Sequence, residues 1–295
     1  MKNFRMRLIK DLFISIRPYQ WSKNLIIFAG LVFSQNLFDL TLFIKVSYAF
    51  FLFCLLSSSV YLINDIIDFE NDRKQPQKSS RPIAIGKLSK TLALWVAIFL
   101  ATISLVFSFY LNILFGLMAL LYFILMNTYS LILKHFVIID IITISFGFVL
   151  RAIAGGVVIS AKFSSWLLIC TVLLALFLVI GKRRQELIFL QDKPIEYRHS
   201  LSKYSLDLLD WMFAVVTAVT IMAYILYTIW PTTVEKFNST NLKYTIPFVL
   251  YGMFRYLYLV YKKHLYDSPE IILIKDKPLI INIGLWIIAV ITIIY

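Results

Sequence analysis

The sequence predicts an all-α membrane protein with nine transmembrane helices, and three observations predict this class. The first is composition. Hydrophobic residues make up 60% of the 295 residues and charged residues only 15%, and the mean hydropathy is +0.82. A polytopic membrane protein has this composition, whereas a soluble domain carries more charge. We interpret residues 1–295 as a single membrane domain.

The second observation is a series of apolar runs, each long enough or nearly so to cross about 30 Å of hydrocarbon. The first run is the weakest, because NLIIFAGLVF is short and lies between Trp21 and Asn36. Residues 1–21 are basic without a long apolar run, which predicts an amphipathic segment at the membrane interface. The predicted spans are 22–38, 42–64, 91–110, 112–130, 138–160, 164–181, 209–230, 245–261 and 278–295.

The third observation is the distribution of lysine and arginine between the two sides of these spans. The N-terminal segment and alternate loops hold 23 of them, the opposite side holds 4, and Arg151 and Arg255 lie inside spans. Positive residues stay on the cytoplasmic side. We therefore predict a multi-pass cell-membrane protein whose N-terminus and motif loops, 65–90 and 182–208, are cytoplasmic and whose C-terminus is outside.

The net charge of +13 is accounted for by this topology. No nucleic-acid-binding motif accompanies it, so we expect membrane lipids and no nucleic acid as partners.

The most informative stretch contains three aspartates at the end of the second span. Asp65, Asp68 and Asp72 follow an i, i+3, i+7 pattern, which places three carboxylates on one helix face, and Asn64 can join them. Like charges on one stripe repel each other unless a cation lies among them. Oxygen ligands suit Mg²⁺, which completes its coordination with substrate phosphate. This pattern indicates a Mg²⁺ site, with a solvated helix end as the alternative.

Two motifs in this region resemble a known family. NDxxDxxxD at 64–72, followed by RPxxxG at 81–86, resembles the UbiA superfamily of intramembrane prenyltransferases. The resemblance implies a bundle of nine helices around a central cavity open to the cytoplasmic side. Members that use a prenyl diphosphate carry a second aspartate motif after the sixth span. Here GKRRQEL occupies 181–187, and no DxxxD follows before Asp207.

Four stretches are instead similar to one branch, the decaprenyl-phosphate 5-phosphoribosyltransferases: RPYQWSKN at 17–24, YSLILK at 129–134, GFVLRAIAGG at 147–156 and GKRRQEL at 181–187. This similarity implies Mg²⁺-dependent transfer of 5-phosphoribosyl from phosphoribosyl diphosphate to a polyprenyl phosphate. The product is a lipid-linked pentose for cell-envelope glycan. Asp65, Asp68 and Asp72 are the implied catalytic residues and, with Asn64, the implied metal ligands.

Two other functions are alternatives. A prenyltransferase would move a polyprenyl chain from its diphosphate to an aromatic or lipid acceptor. A transporter or structural membrane protein is the other alternative, and the confinement of polar residues to one face argues against it.

The predicted substrate-binding residues are mostly basic. The basic side chains of Lys182, Arg183 and Arg184 would attract the donor's 5-phosphate or the acceptor's phosphate. Carboxylates at the same place would repel it. A charge at Arg151, in mid-span, costs about 2.5–3.5 kcal/mol. Arg151 either anchors a lipid phosphate or shapes the cavity floor, or it is paired with backbone carbonyls or with another span inside the bundle. Glu186 serves a second Mg²⁺ or pairs with a neighbouring arginine. The full set is Lys23, Asn64, Arg81, Tyr129, Lys134, Arg151, Lys182, Arg183, Arg184, Glu186, Arg198 and Tyr204.

Overall fold

The computed structural model describes residues 2–75, 78–161, 164–190, 203–262, 271–272 and 275–295, and these residues contain helices but no β-strand. The α-helices are α1 Lys2–Ile16, α2 Ala29–Phe33, α3 Leu40–Ile67, α4 Phe69–Lys74, α5 Lys90–Leu111, α6 Ile113–Leu131, α7 Ile139–Val157, α8 Ser165–Leu190, α9 Leu206–Ile229, α10 Pro231–Phe237, α11 Ile246–Lys262 and α12 Lys277–Ile294. Within the described ranges, 3₁₀ helices lie between them at Pro18–Phe28, Leu133–His135 and Asn241–Thr245.

Seven of the described helices are long and apolar enough to cross a membrane: α3, α5, α6, α7, α8, α9 and α12. They coincide with seven of the predicted spans. Polar side chains begin several of them. The side chains of Asp39, Ser89, Asn112, Ser205 and Asp276 each accept a hydrogen bond from a backbone N–H in the first turn of the following helix. The prediction of an all-helical, multi-pass membrane protein is confirmed.

Each of the other two predicted spans combines a 3₁₀ helix with an α-helix. The span 22–38 is wrong as one continuous helix, because the chain there forms the 3₁₀ helix Pro18–Phe28 followed by the short α2. The span 245–261 is α11, a helix of 17 residues preceded by the 3₁₀ helix Asn241–Thr245. A 3₁₀ helix rises about 2.0 Å per residue against about 1.5 Å for an α-helix. The lengths of the two segments in each pair therefore add up to about 30 Å or more, which is the thickness of the hydrocarbon core.

Backbone-to-backbone packing holds the 3₁₀ helix Pro18–Phe28 and α2 against α7. A Cβ atom added to Gly155 would lie 1.9 Å from the carbonyl oxygen of Ile27, and one added to Gly30 would lie 2.8 Å from the Cα atom of Gly156. Gly155 and Gly156 therefore serve close packing of these two segments. The absence of side chains here lets the two backbones approach closely.

The helices form a ring around a cavity of about 1210 Å³. Each of α3, α5, α6, α7, α8 and α9 packs against the next in this order, and α11 packs against α12. The ring closes where α12 meets the end of α2. There the Gln35 Nε2 atom donates to the Ile294 carbonyl oxygen at 2.8 Å, and the rings of Phe38 and Tyr295 lie 4.9 Å apart.

We predict that Gly155→Ala lowers the free energy of unfolding by at least about 2 kcal/mol, because the new methyl group must displace a backbone carbonyl. The measurement is thermal unfolding of the detergent-solubilised protein. Gly284→Ala in α12 is the matched control, since no heavy atom lies within 4 Å of a Cβ added there. Equal unfolding temperatures for the two variants would contradict the packing described for Gly155.

Candidate active site

The three aspartates lie at the junction of α3 and α4. Asp68 separates the two helices, with φ −87° and ψ 8°. Its backbone N–H donates to the Asn64 carbonyl oxygen at 2.9 Å, and the Asp72 N–H donates to the Asp68 carbonyl oxygen at 2.8 Å. The helical path thus continues through the junction. Asn64, Asp68 and Asp72 line the cavity, whereas Asp65 lies behind them, outside the cavity lining.

Basic residues from three other segments bind these carboxylates. Arg17 forms an ion pair with Asp65, and the Arg81 Nη1 atom contacts Asp72 and lies 2.9 Å from the Asp65 Oδ1 atom. Lys134 forms an ion pair with Asp68. Each of these three aspartates is therefore neutralised by a side chain of the protein itself.

Arg17 was not among the predicted site residues, although it begins the RPYQWSKN stretch. Its backbone has φ 55° and ψ 61°, in the left-handed region, immediately before Pro18. This conformation is strained for a residue that precedes proline. Burial is the largest single influence and would lower the pKa of Arg17, but the charge and hydrogen bond of Asp65, together with the charges of Tyr19 and Tyr61, raise the pKa overall. The ion pair with Asp65 therefore fixes Arg17 in the site.

Asp72 shows how strongly the aspartates depend on these cations. Burial raises the pKa of the Asp72 carboxyl above its usual range, and the charges of Arg81 and Lys78 oppose the increase. The Lys78 Nζ atom lies 3.9 Å from the Asp72 Oδ1 atom. A cation near Asp72 thus stabilises its ionised form.

The opposite wall of the cavity is built around Arg183 on α8, which is 2% exposed. Its guanidinium donates to the Asp140 Oδ2 atom at 2.9 Å, the Glu186 Oε2 atom at 2.6 Å and the Tyr129 hydroxyl at 3.0 Å. The interpretation of Glu186 as the partner of a neighbouring arginine is confirmed. Arg183, Glu186, Tyr129 and Lys182 all line the cavity.

Tyr204 lies behind this wall and outside the cavity lining that the structure describes. Its hydroxyl donates to the Asp140 Oδ1 atom at 2.8 Å and accepts from the Ile138 N–H at 2.6 Å. Burial raises the pKa of the Tyr204 phenol, which keeps the donor proton in place. Tyr204 therefore holds Asp140 against Arg183, instead of pointing into the cavity.

Arg184 also points away from the cavity. It forms an ion pair with Asp210, and its guanidinium carbon lies 3.9 Å from the centre of the Tyr261 ring. The Tyr261 hydroxyl donates to the Asp210 Oδ1 atom at 2.8 Å. The structure thus brings Lys182 and Arg183, but not Arg184, to the predicted basic wall. Asp210 was not predicted, because its pairing across α8 and α9 has no local sequence signal.

Three further predicted residues reach the same cavity: Lys23, Lys134 and Arg151. The Lys23 Nζ atom donates to the Gln20 Oε1 atom at 2.9 Å. Arg151 contacts neutral oxygens, including the Gly147 carbonyl oxygen at 3.0 Å. The predicted residue Arg198 lies outside the described residues.

The donor set at the junction of α3 and α4 fits Mg²⁺ by its chemistry. Asn64, Asp68 and Asp72 offer side-chain oxygens to one cavity, and Mg²⁺ takes one or two carboxylates together with water and phosphate. Among the residues that the structure describes, no three His, Cys, Asp or Glu side chains are gathered around one point as a complete metal site. The carboxylates instead bind the side-chain cations of Arg81 and Lys134.

The fold and the cavity define an integral membrane protein with a charged chamber inside an α-helical bundle. The sequence model of the UbiA prenyltransferase family matches residues 24–269. The chain belongs to the UbiA prenyltransferase family.

Two curated relatives are similar along most of the chain. The decaprenyl-phosphate phosphoribosyltransferase of Mycolicibacterium smegmatis is 36% identical over 223 residues, which cover 74% of this chain and 70% of the relative. The protein of the same name from Mycobacterium tuberculosis is 32% identical over 281 residues, covering 94% of this chain and 91% of the relative. The resemblance to this branch is confirmed.

A solved structure has the same fold. The UbiA homolog from Archaeoglobus fulgidus bound to DMAPP and Mg²⁺ superposes with a TM-score of 0.73 and covers 96% of this chain and 99% of its own. The identity is 18%, so this similarity supports the fold.

We predict that Asp140→Asn lowers the free energy of unfolding by about 3 kcal/mol, because it removes a carboxylate from a fully buried ion pair. Unfolding in detergent measures the loss. Asp207→Asn, at an exposed position in the first turn of α9, is the control, with an expected effect below about 1 kcal/mol. A loss at Asp140 no larger than at Asp207 would show that Arg183 does not depend on this partner.

Proposed function

We propose that the chain is a Mg²⁺-dependent phosphoribosyltransferase, which transfers 5-phosphoribosyl from phosphoribosyl diphosphate to a polyprenyl phosphate of the decaprenyl type. The product is polyprenyl-phosphoryl-5-phosphoribose, a precursor of cell-envelope glycan. The observation that carries the proposal is the pairing of an acidic wall at 64–72 with a basic wall at Lys182 and Arg183 in one cavity. The names of relatives that match up to 94% of the chain support it.

The acidic wall is the proposed binding site for the metal and the donor's diphosphate. Asn64, Asp68 and Asp72 would hold Mg²⁺, and bound Mg²⁺ neutralises charge on a leaving diphosphate. The A. fulgidus homolog, a protein of the same fold, binds Mg²⁺ with a diphosphate. Asp65, which was predicted as a ligand, lies behind this group and holds Arg17 and Arg81 in place.

The ion pairs described above suggest how this site fills. Arg81 bridges Asp65 and Asp72, and Lys134 binds Asp68. In a metal-bound state the carboxylates would bind Mg²⁺ in place of these side-chain cations, and Arg81 and Lys134 would be available to bind the diphosphate. This exchange of cations would leave the carboxylates neutralised. It also supplies the phosphates with partners that are already in the cavity.

The chemistry needs little acid–base assistance. A phosphate oxygen of the acceptor attacks the anomeric carbon of the ribose, and the bond from that carbon to the diphosphate oxygen breaks with its electron pair leaving on the diphosphate. The acceptor is already an anion, so no strong general base is required. Attack opposite the leaving group inverts the anomeric centre. Positioning and charge neutralisation by Arg81, Lys134, Lys182 and Arg183 supply the acceleration.

The proposed topology places this cavity on the cytoplasmic side, with the N-terminus cytoplasmic and the C-terminus outside. Nine crossings are supported by the summed lengths of about 30 Å or more in the two spans that combine 3₁₀ and α-helix. Residues 1–21 lie at the interface in this arrangement. The side chains of Leu8 and Leu12 pack on the bundle, whereas Met6 and Phe13 are exposed for contact with lipid. Phosphoribosyl diphosphate then enters from the cytoplasm.

A prenyltransferase is the second candidate, since the family carries that name and the A. fulgidus homolog binds DMAPP. Lys182 and Arg183 argue against it, because they stand where members using a prenyl diphosphate carry the second aspartate motif.

We predict that purified protein with Mg²⁺ transfers labelled phosphoribose from phosphoribosyl diphosphate to decaprenyl phosphate in detergent. Asp68→Asn should lower the rate at least about 100-fold, because it removes a metal ligand and its charge. Extraction of the label into the lipid phase measures the product, and Asp207→Asn is the control with an unchanged rate. Transfer of a prenyl group to an aromatic acceptor, with no phosphoribosyl transfer, would establish the second candidate.

We predict that Arg81→Gln strengthens Mn²⁺ binding about tenfold when no donor is present, because the metal ion no longer competes with a charge-assisted bond to Asp72. The same variant should raise the KM for phosphoribosyl diphosphate. Free Mn²⁺, followed by electron paramagnetic resonance, gives the affinity. Arg255→Gln, which removes an arginine outside the cavity lining, should leave it unchanged. Weaker Mn²⁺ binding in the Arg81 variant would contradict the exchange of cations.

A further inference from the structure

Arg151 is a buried cation whose hydrogen-bond partners among the described residues are all uncharged. It lies on α7, lines the cavity and is 4% exposed. Its Nε atom donates to the Asn24 Oδ1 atom at 2.7 Å, its Nη1 atom to the Gly147 carbonyl oxygen at 3.0 Å and its Nη2 atom to the Tyr122 hydroxyl at 2.7 Å. A guanidinium has five N–H donors. Two of them make no hydrogen bond to the described residues.

The charge of Arg151 is exceptional among the buried arginines that the structure describes. Arg17, Arg183 and Arg184 each form an ion pair with a carboxylate. No carboxylate within the described ranges forms an ion pair with Arg151. An uncompensated charge inside a span is costly. An anion that enters the cavity would compensate it.

The helix α6 gives the depth of this cation. The Tyr129 hydroxyl binds Arg183, one of the residues proposed to neutralise charge in the transfer, and we call the level of Arg183 in the cavity the donor layer. The Tyr122 hydroxyl binds Arg151. Tyr122 lies seven residues further from that layer. Seven residues correspond to about 10 Å along an α-helix.

The helix α7 gives the same depth independently. Asp140 binds Arg183, and the carbonyl oxygen of Gly147, seven residues further along, binds Arg151. The guanidinium of Arg151 thus lies about 10 Å below the donor layer by both measures.

The depth of about 10 Å between Arg151 and the donor layer matches the distance that the proposed transfer requires. In an in-line attack the phosphorus atoms of the leaving diphosphate and the attacking phosphate lie about 7 Å apart, because the reacting atoms approach to about 3 Å. A guanidinium in contact with the attacking phosphate lies about 4 Å beyond its phosphorus atom. A phosphate bound by Arg151 would therefore face the donor's ribose.

We propose that Arg151 binds the phosphate of the polyprenyl acceptor, and that the neutral side chain of Asn24 leaves the guanidinium uncompensated so that it can do so. The proposal rests on the proposed function for the identity of the donor. It separates two phosphate sites in the cavity: the donor's at the junction of α3 and α4, and the acceptor's at Arg151.

Asn24→Asp tests the proposal with Arg151 still in place. The Asn24 Nδ2 atom donates to the Ser57 Oγ atom at 3.2 Å and the Cys54 Sγ atom at 3.3 Å. The hydroxyl and the thiol can donate to a carboxylate instead. The variant keeps the shape of the side chain and gives Arg151 an internal counter-ion. We expect the affinity for decaprenyl phosphate to fall at least about tenfold. The unfolding temperature and the Mn²⁺ affinity should not fall.

Binding of decaprenyl phosphate, decaprenol and inorganic phosphate in detergent identifies what the site recognises. The wild-type protein should prefer the lipid phosphate to the alcohol, and Asn24→Asp and Arg151→Gln should lose that preference. Arg255→Gln is the control and should retain it. If Arg151→Gln fails to fold, Asn24→Asp still decides.

The failures of the two proposals are distinguishable. If the wild-type protein transfers phosphoribose and both variants bind decaprenyl phosphate as the wild type does, the assignment of Arg151 is overturned and the proposed function stands. If no transfer occurs but Asn24→Asp abolishes the preference for phosphate over alcohol, the proposed function fails and the lipid-phosphate site is supported. Competition by inorganic phosphate as strong as by the lipid phosphate would overturn a site for the lipid acceptor.

Discussion

The arrangement of the cavity depends on the ion pairs at the junction of α3 and α4. Three carboxylates there bind basic residues from the segment before Pro18, from the loop after α4 and from the 3₁₀ helix that follows α6. Buried carboxylates need such partners, because desolvation penalises their charge. The same contacts join segments that are far apart in the sequence. Neutralisation of these acids therefore also organises the polar end of the bundle.

Charge balance differs between the polar end of the cavity and its deeper part. This difference supports the proposed positions of the donor at the polar end and of the acceptor phosphate below it. At the polar end, aspartates and basic residues pair with each other, so a metal ion and an anionic donor can replace one set of partners with another. On the opposite wall, Asp140 and Glu186 balance Arg183. Deeper in the bundle, Arg151 is balanced by none of the described carboxylates. An anion is accommodated most readily at that level, since it removes the cost of the isolated charge.

Much of the site could be predicted from the sequence, because the spacings and motifs that identify it extend over only a few neighbouring residues. The spacing of Asp65, Asp68 and Asp72 survives in the structure because the hydrogen bond from the Asp72 N–H to the Asp68 carbonyl oxygen continues the helical path. The partners of Arg184 and Asp140 could not be predicted, because Asp210 and Tyr204 reach them across helices. The form of the first span could not be predicted either. Its 3₁₀ conformation accompanies the close approach of its backbone to Gly155.

The sequence by itself determined the class of the protein, its family, seven of its spans and the residue types of both cavity walls. These properties follow from hydrophobic run length, residue spacing and motif composition, all of which are local. Only the tertiary structure decided which charges face the cavity and which are neutralised behind it. That outcome depends on distances between side chains on different helices, since an ion pair requires contact in space and leaves no trace in the spacing of residues along the chain.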